Sequence, residues 1–530
     1  MITEDELFRM GNQEKAWNKY CGFLDLSLSE FMEIQAQLLM KQIDIVHNSP
    51  IARKFMPQKP MDVSEFRQMV RLTTYDDYAG PLMEKNEDVL AVKPYCWACT
   101  SGRGGKAKWV PYTHRAVEMF AMCSVAIVIL ACANNKGEVN ISHGLRVLHN
   151  LPPPPYMSGI INELLAPRLG ARLIPPSENY LNTDFEQRIQ DGFQMALRTG
   201  TDLLSSMTSV LVKMGERFTE SSGQLKLSRQ MLSPTILWRL FIAWLRCKKE
   251  GRPMLPKDLW SFKGLACYGM DTGIYREQVK YYWGKEPLEM YGATEAGTIA
   301  TQAWNKKDMT FFPASGFWEF IPEEEWLKSR ENKSYQPRTV LLNEVKPGRR
   351  YEIVITNFNG MPFLRYRLGD LIKIVDLEDK EAGIRLPQMI FESRADDLID
   401  IAGFTRLDEK TIWQAIANTK IKFEDWSARK EYEGKEPVVH LYIELKEEID
   451  GKKLEELVHQ HLKSLNQDYN NLETMLGLRP VRITIVPPGS FRRYYEERKG
   501  EGADLADLKP PHMNAPDNII KSLLRTLPST

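Results

Sequence analysis

A chain of 530 residues is too long for one hydrophobic core, which stops growing near roughly 250–300 residues, so length alone predicts about three domains or subdomains. Hydrophobic residues make up 43% and charged residues 26%, the proportions of a folded globular protein and not of a disordered or membrane-spanning one. Lysine plus arginine equals aspartate plus glutamate at 70 each, which excludes an overall field that recruits nucleic acid or an anionic membrane and leaves room only for a local basic patch.

The N-terminal MITEDELFRMGNQEKAW is polar and acidic, unlike the basic-then-apolar start of a secretory signal, and a cytoplasmic location is expected. Residues 28–49 and 63–69 repeat apolar positions at three and four, a helical period. The CWAC of Cys96 and Cys99 reads as a strand running into a glycine loop, and no second cysteine pair completes a zinc site. The most apolar stretch, Met119 to Ala133, is shorter than the ~20 residues that span a bilayer, so it reads as a buried helix and no membrane partner is expected. Strand candidates LRVLHNL (145–151), ARLIPP, FKGLACYGM and PLEMYGATEAG then alternate with amphipathic helices, which predicts an α/β layer with a largely parallel sheet. Beyond residue 310, FWEFIP, TVLLNEV, RRYEIVITNF and FLRYRLGDLIKIVDLED are β-rich, with Lys346-Pro347-Gly348-Arg349 as a hairpin turn. From about residue 397, helix TIWQAIANTK, strand VVHLYIELK, helix KLEELVHQHLKSLN and strand VRITIVPP make a small α+β domain, with HQH (459–461) on the helix surface.

Four short segments carry chemistry. Thr100-Ser101-Gly102-Arg103-Gly104-Gly105-Lys106-Ala107-Lys108, placed after a strand and before helix THRAVEMFAM, combines glycines that let backbone N–H groups converge on an anion with hydroxyl and cationic donors. It is not a GxxxxGK[ST] loop, because Ala107 follows Lys106. Tyr291-Gly292-Ala293-Thr294-Glu295 ends a strand, where a carboxylate can hold Mg²⁺ and a hydroxyl can face a nucleotide. Tyr366-Arg367-Leu368-Gly369-Asp370 offers an acid after a glycine to both hydroxyls of a ribose; the plainer reading is an Arg–Asp surface pair. Glu392-Ser393-Arg394-Ala395-Asp396-Asp397 sits where the β region gives way to the last domain, a position suited to a hinge.

In this order and spacing the four segments resemble the superfamily of acyl-CoA synthetases, peptide-synthetase adenylation domains and luciferases. TSGRGGKAK stands where that family has [ST]SG[ST]TGxPK, YGATE matches YGxTE, YRLGD matches YRxGD and SRADD matches GRxDD. The likeness runs from about residue 60 to the C-terminus. FFPASGFWEFIP and LKPPHM resemble motifs of the auxin-type acyl acid amido synthetases and their bacterial relatives, with phenylacetate-CoA ligases the next nearest branch.

The resemblance implies a large multi-subdomain adenylate-forming domain over residues 1–396 and a mobile α+β domain over 397–530. ATP, Mg²⁺ and a carboxylic acid would give an acyl-adenylate, whose acyl group passes to an amine such as an amino acid. CoA is the alternative acceptor, a catalytically inactive nucleotide-binding relative is a further alternative, and no nucleic-acid partner is implied. The resemblance assigns the β- and γ-phosphates to 100–108, adenine to Gly269, Met270 and Asp271, the α-phosphate to Thr294, Mg²⁺ to Glu295, the ribose to Asp370 with Arg394 nearby, and the interdomain pivot to Asp396. Arg103 and Gly104 depart from the usual hydroxyl pair, and an arginine fork can grip phosphate in their place. The PRTxxGK-like segment that carries a catalytic lysine in relatives is absent; Lys509 in DLKPPH is preferred over Lys499 for that role.

Overall fold

The computed structural model describes residues 8, 12–100, 108–151, 153–176, 185–222, 233–268, 272–332, 334–395, 398–401, 405–433, 436–466, 469–470, 472–473, 478–501 and 508–525. They form two compact units: one of 1–100, 109–368 and 372–391, the other of 101–108, 369–371 and 392–530.

In the first unit, α1 (Leu28–Val46) begins at a capping box in which Ser27 and Glu30 exchange hydrogen bonds, so two orphan amides of the first turn are satisfied. A hairpin of β1 (Cys96–Cys99) and β2 (Trp109–Tyr112) follows, with Cys99 opposite Trp109, and then α2 (His114–Cys132). By length and composition α2 could cross a membrane, but 72% of its apolar window is buried inside the protein, and it is the central helix of the core.

The chain continues through β3 (Arg146–His149), α3 (Met157–Arg168), β4 (Arg172–Ile174), α4 (Phe185–Thr199), β5 (Leu203–Met207), α5 (Thr208–Ser222), α6 (Pro234–Glu250), β6 (Gly264–Tyr268), α7 (Thr272–Trp283) and β7 (Pro287–Ala293). It then turns to β8 (Gly297–Gln302), β9 (Met309–Phe311), β10 (Gly316–Pro322), α8 (Glu323–Glu331), β11 (Arg350–Asn357), β12 (Tyr366–Asp376) and β13 (Gln388–Arg394). Eleven of these strands make one sheet in the order β10-β11-β12-β13-β9-β8-β7-β6-β5-β3-β4. The five at one end, β4-β3-β5-β6-β7, pair in parallel, as βαβ crossovers require. β7 also pairs antiparallel with β8, so this one strand joins the parallel half to the β-rich half.

The expected hairpin around Gly348 is corrected. Gly348 does turn the chain at φ +75, but TVLLNEV is not a strand; only Val340 pairs, in an isolated bridge to Phe320, and the turn leads directly into β11.

In the second unit, β14 (Ile399–Ile401) pairs with β15 (Thr405–Leu407), and α9 (Glu409–Asn418) leads to β16 (Phe423–Glu433). A three-stranded sheet follows in the order β16-β17-β18, from β17 (Glu436–Leu445) and β18 (Val481–Ile485). With α9 it packs α10 (Gly451–Leu465) in one core, while α11 (Ser490–Gly500) and α12 (Asp517–Leu524) contribute to a second, smaller one. HQH is not wholly a surface feature: His459 is buried against the Tyr469 hydroxyl (2.8 Å) and Glu473 (3.3 Å), and burial pushes its pKa down.

Candidate active site

The segment 100–108 does not open a helix. It is the loop of the β1–β2 hairpin, and α2 starts only after β2, at the N-cap Thr113. A helix N-terminus is therefore not the anion-binding device at this position. Thr100 and Lys108, at its two ends, are half-buried; Ser101, Gly102, Arg103, Gly104, Gly105 and Lys106 lie outside the described residues. The loop's stem is fixed from both sides. The Cys99 amide donates to the Pro155 carbonyl (3.0 Å), and the Trp109 amide donates to the Tyr75 hydroxyl (2.9 Å). Burial pushes the Cys96 thiol up to about 11, so this cysteine is a packed side chain and not a reactive thiolate.

Tyr291–Glu295 sits at the carboxyl end of β7, the last strand of the parallel half, and α/β sheets bind ligands outside the carboxyl ends of their strands. A register shift after Tyr291 brings β7 and β8 so close that a Cβ on Gly292 would stand 2.8 Å from the Gly297 carbonyl oxygen, which excludes any side chain there. The turn that follows is pinned by three other elements. The Tyr112 hydroxyl of β2 donates to the Thr294 carbonyl (2.7 Å), and the Asn357 amide of β11 donates to the Glu295 carbonyl (2.9 Å). The Tyr366 hydroxyl of β12 donates to the Glu295 carboxylate (3.3 Å). Burial and the Glu295 charge push the Tyr112 hydroxyl well above the ordinary tyrosine range, so it remains a donor. The carboxylate itself is half-buried.

The entry to β12 rests on a buried ion-pair network. The Arg365 guanidinium donates to both oxygens of Glu319 (3.0 and 2.9 Å), and Arg67 and Thr339 complete the shell at 3.1 and 2.6 Å. Arg367 does not pair with Asp370: it makes a bidentate contact with the buried Glu352 at 2.9 and 2.6 Å. In the second unit, Asp370 is buried and its Oδ1 lies 3.7 Å from Arg394 Nη1, so these two assigned residues are neighbours. Gly369 adopts φ +72 just before Asp370, a bend within the strand that a residue with a Cβ adopts only under strain.

Of the two lysines, Lys499 is in α11 and exposed, and Lys509 is exposed in the segment 508–514. That segment runs along the free edge of β16. The Ala428 amide donates to the His512 carbonyl (2.6 Å), and the Asn514 amide donates to the Ala428 carbonyl (2.7 Å). His512 stacks on Trp426 (4.5 Å, 9°) with one ring nitrogen 2.6 Å from Glu409 and the other 2.8 Å from Asp425. Burial opposes its charge, but the two carboxylates win and push its pKa up to about 10, so both nitrogens donate. Sequence reasoning quoted this histidine in KPPH without giving it a role; an acid at 425 directly before an aromatic at 426, with a further acid at 409, was the available signal. Gly269, Met270 and Asp271 fall between β6 and α7, one strand–helix–strand unit before Tyr291, and with Asp396 they lie outside the described residues.

Among the described residues no group of three His, Cys, Asp or Glu side chains could hold a metal ion. A single half-buried carboxylate fits Mg²⁺, which keeps several waters and takes one or two protein carboxylates together with substrate phosphates.

Comparison with known proteins follows this geometry. The N-terminal, central and C-terminal domains of the GH3 family match residues 22–149, 309–394 and 409–517, together more than half of the chain. A jasmonoyl–L-amino acid synthetase of Nicotiana attenuata is 28% identical over 279 residues, 49% of this chain and 46% of that protein. An indole-3-acetic acid-amido synthetase of Arabidopsis thaliana is 26% identical over 258 residues, 45% and 42%. The chain thus spans about half the length of the curated relatives it matches. The solved GH3.15 acyl acid amido synthetase in complex with 2,4-DB shares the fold at TM-score 0.72 and 18% identity, covering 97% of this chain and 96% of that one. A 2-hydroxyisobutyryl-CoA ligase with 2-HIB-AMP aligns at TM-score 0.60 and 14% identity, covering 94% and 92%. With all three of its domains matched and the sheet, hairpin loop and pinned glutamate in the expected order, the chain belongs to the GH3 family of the adenylate-forming superfamily.

Proposed function

We propose that this chain uses ATP and Mg²⁺ to activate a carboxylic acid as its acyl-adenylate and then transfers the acyl group to the amine of an amino acid, giving an amide. The observation that carries the reading is the presentation of Glu295: a turn fixed from β2, β11 and β12 leaves one carboxylate partly exposed at the carboxyl end of β7. The similar proteins named amido synthetases support the amine as acceptor.

A carboxylate oxygen of the acid attacks the α-phosphorus and pyrophosphate leaves; the amine nitrogen then attacks the acyl carbon, loses a proton, and AMP leaves. Little side-chain chemistry is needed for the first step, because the acid is already ionised, and alignment supplies most of the rate. When bound, Mg²⁺ would neutralise phosphate charge as the bond to pyrophosphate breaks. Glu295 would hold that ion, Thr294 would face the α-phosphate, and the hairpin loop would grip the outer phosphates. Asp370 would accept both ribose hydroxyls, with Arg394 beside it, and Lys509 would meet the acid and the α-phosphate. A cytoplasmic setting, where ATP is abundant, belongs to the proposal.

The test is exchange of labelled pyrophosphate into ATP across a panel of acids, followed by amino acids or CoA with each acid that responds. Acid-dependent exchange and an amide product are expected. Absence of exchange with every acid removes the activation reading, and a product formed with CoA alone replaces the amide by a thioester.

A further inference from the structure

The helix α6 is oriented against the usual rule for an amphipathic helix. It buries only a narrow stripe, Ile236, Ala243 and Cys247, against the protein. The opposite side holds its largest side chains: Trp238 is 65% exposed, Phe241 49%, Trp244 48% and Leu245 46%. The three rings run as a row along the helix, with centroids 6.2 Å apart from Trp238 to Phe241 and 6.3 Å from Phe241 to Trp244. At 17 residues the helix is about 25 Å long, so the row is a continuous apolar strip and not scattered single exposures.

The charges on this helix are one-sided. Arg239, Arg246, Lys248 and Lys249 stand against a single acid, Glu250. The Lys248 ammonium lies 4.8 Å from the Trp244 ring, and among the described residues Arg246, Lys248 and Lys249 have no ion-pair partner. The chain as a whole carries no net charge, so the positive field belongs to this element and not to the molecule.

We propose that the exposed face of α6 docks on an anionic lipid surface, with the helix lying in the interfacial plane. Aromatic rings of this kind settle at the boundary between headgroups and acyl chains, and cations beside them pair with anionic headgroups. A second copy of the chain fits the same face poorly, because self-pairing sets three exposed cations, Arg246, Lys248 and Lys249, against three with one acid on each side. The sequence-level expectation of no membrane partner rested on the shortness of the most apolar stretch, which bears on spanning and not on surface docking, and on the total charge, which averages this helix away.

The experiment is flotation of the full chain with phosphatidylcholine vesicles, with and without phosphatidylserine, read together with tryptophan emission and sedimentation without lipid. Binding only to the phosphatidylserine vesicles, with a blue shift in emission, is expected. A triple variant, Trp238→Ser with Phe241→Ser and Trp244→Ser, loses the binding. Lys248→Gln with Lys249→Gln weakens partitioning about twenty-fivefold, about fivefold for each charge removed near the surface. Both lysines are solvent-facing, so this second variant decides the matter even where the triple variant fails to fold. No flotation with phosphatidylserine vesicles, or flotation that neither variant changes, overturns the proposal. So does a concentration-dependent dimer that the triple variant abolishes while lipid binding is absent.

Discussion

The two segments that present assigned catalytic groups are held by different physics. In the first unit the Tyr291–Glu295 turn is fixed chiefly by neutral donors reaching backbone carbonyls: Tyr112 to Thr294 and Asn357 to Glu295. In the second unit the strip bearing Lys509 is fixed beside a charged histidine between two carboxylates, Glu409 and Asp425. Neutral hydrogen bonds hold their geometry across a wide pH range, whereas an ion-pair clamp loosens when its cation or its acids titrate. The same fold therefore combines an insensitive turn for the proposed metal ligand with a titrating mount for the candidate lysine.

The sharpest way to break this contrast is to remove the charge that the turn exists to present. Glu295→Gln keeps shape and backbone contacts but removes the carboxylate. Acid-dependent pyrophosphate exchange should fall by at least about a hundredfold, the scale of losing one group that stabilises developing charge. Unchanged exchange would show that the turn serves packing alone.

His512→Asn tests the other side of the comparison. It leaves Asp425 and Glu409 without their cation, and at 28% side-chain exposure of His512 the expected loss is about 2 kcal/mol, below the range for fully buried pairs. The pH dependence has a definite sign. His512 has its folded pKa raised from 6.5 to about 10, so its contribution is fully present below about pH 6.5 and is lost as pH rises through 10. Asp425 is opposed by burial, yet the His512 charge and hydrogen bond keep its pKa below 3.8, so its contribution is present above that value and is lost as pH falls beneath it. Protection factors of the α9 and β16 amides, which divide out base-catalysed intrinsic exchange, should accordingly be highest between about pH 4 and 6.5 and fall toward pH 10, while those of β7 and β8 show no such fall. The His512→Asn variant should flatten the fall.

What the sequence made legible follows from the same distinction. The α/β alternation from β3 to β7 and the core placement of α2 were readable because apolar period acts locally. β16 was missed because FEDWSARKEYE carries six charged residues and buries only its central Trp426, Ser427 and Ala428, and its partner β17 supplies the apolar pattern. TVLLNEV was over-read for the opposite reason: its apolar residues pack on the core without a neighbouring strand that accepts a ladder. The motif glutamate and aspartate could be named from spacing, but Tyr112, Asn357 and Tyr366 could not be tied to Glu295, because separations of 62 to 183 residues leave no local trace.

Tyr366→Phe refines the picture of the first unit. The change removes one hydroxyl and leaves a ring that still packs on Phe363 and Tyr78. A partner that orients a metal ligand is worth roughly tenfold or somewhat more in metal affinity. The Mg²⁺ concentration giving half-maximal exchange should rise about tenfold, with the rate at saturating Mg²⁺ nearly restored. A fall in the saturated rate with no change in Mg²⁺ requirement would place Tyr366 in packing and not in orienting Glu295.

The smallest effect expected is at Gly369. Alanine there meets no close atom, since its nearest neighbour would be Arg394 Nη2 at 4.0 Å, so any cost comes from the backbone at φ +72. A left-handed conformation costs an L residue about 1 kcal/mol. Gly369→Ala should therefore leave the fold intact and shift Asp370 slightly along β12. The expected result is a rise of a few-fold in the KM for ATP at nearly constant kcat, because a ribose contact is made in both ground and transition states. A larger loss confined to kcat would mean that Asp370 acts on the reacting groups themselves, and the assignment of this strand to the ribose would then fail.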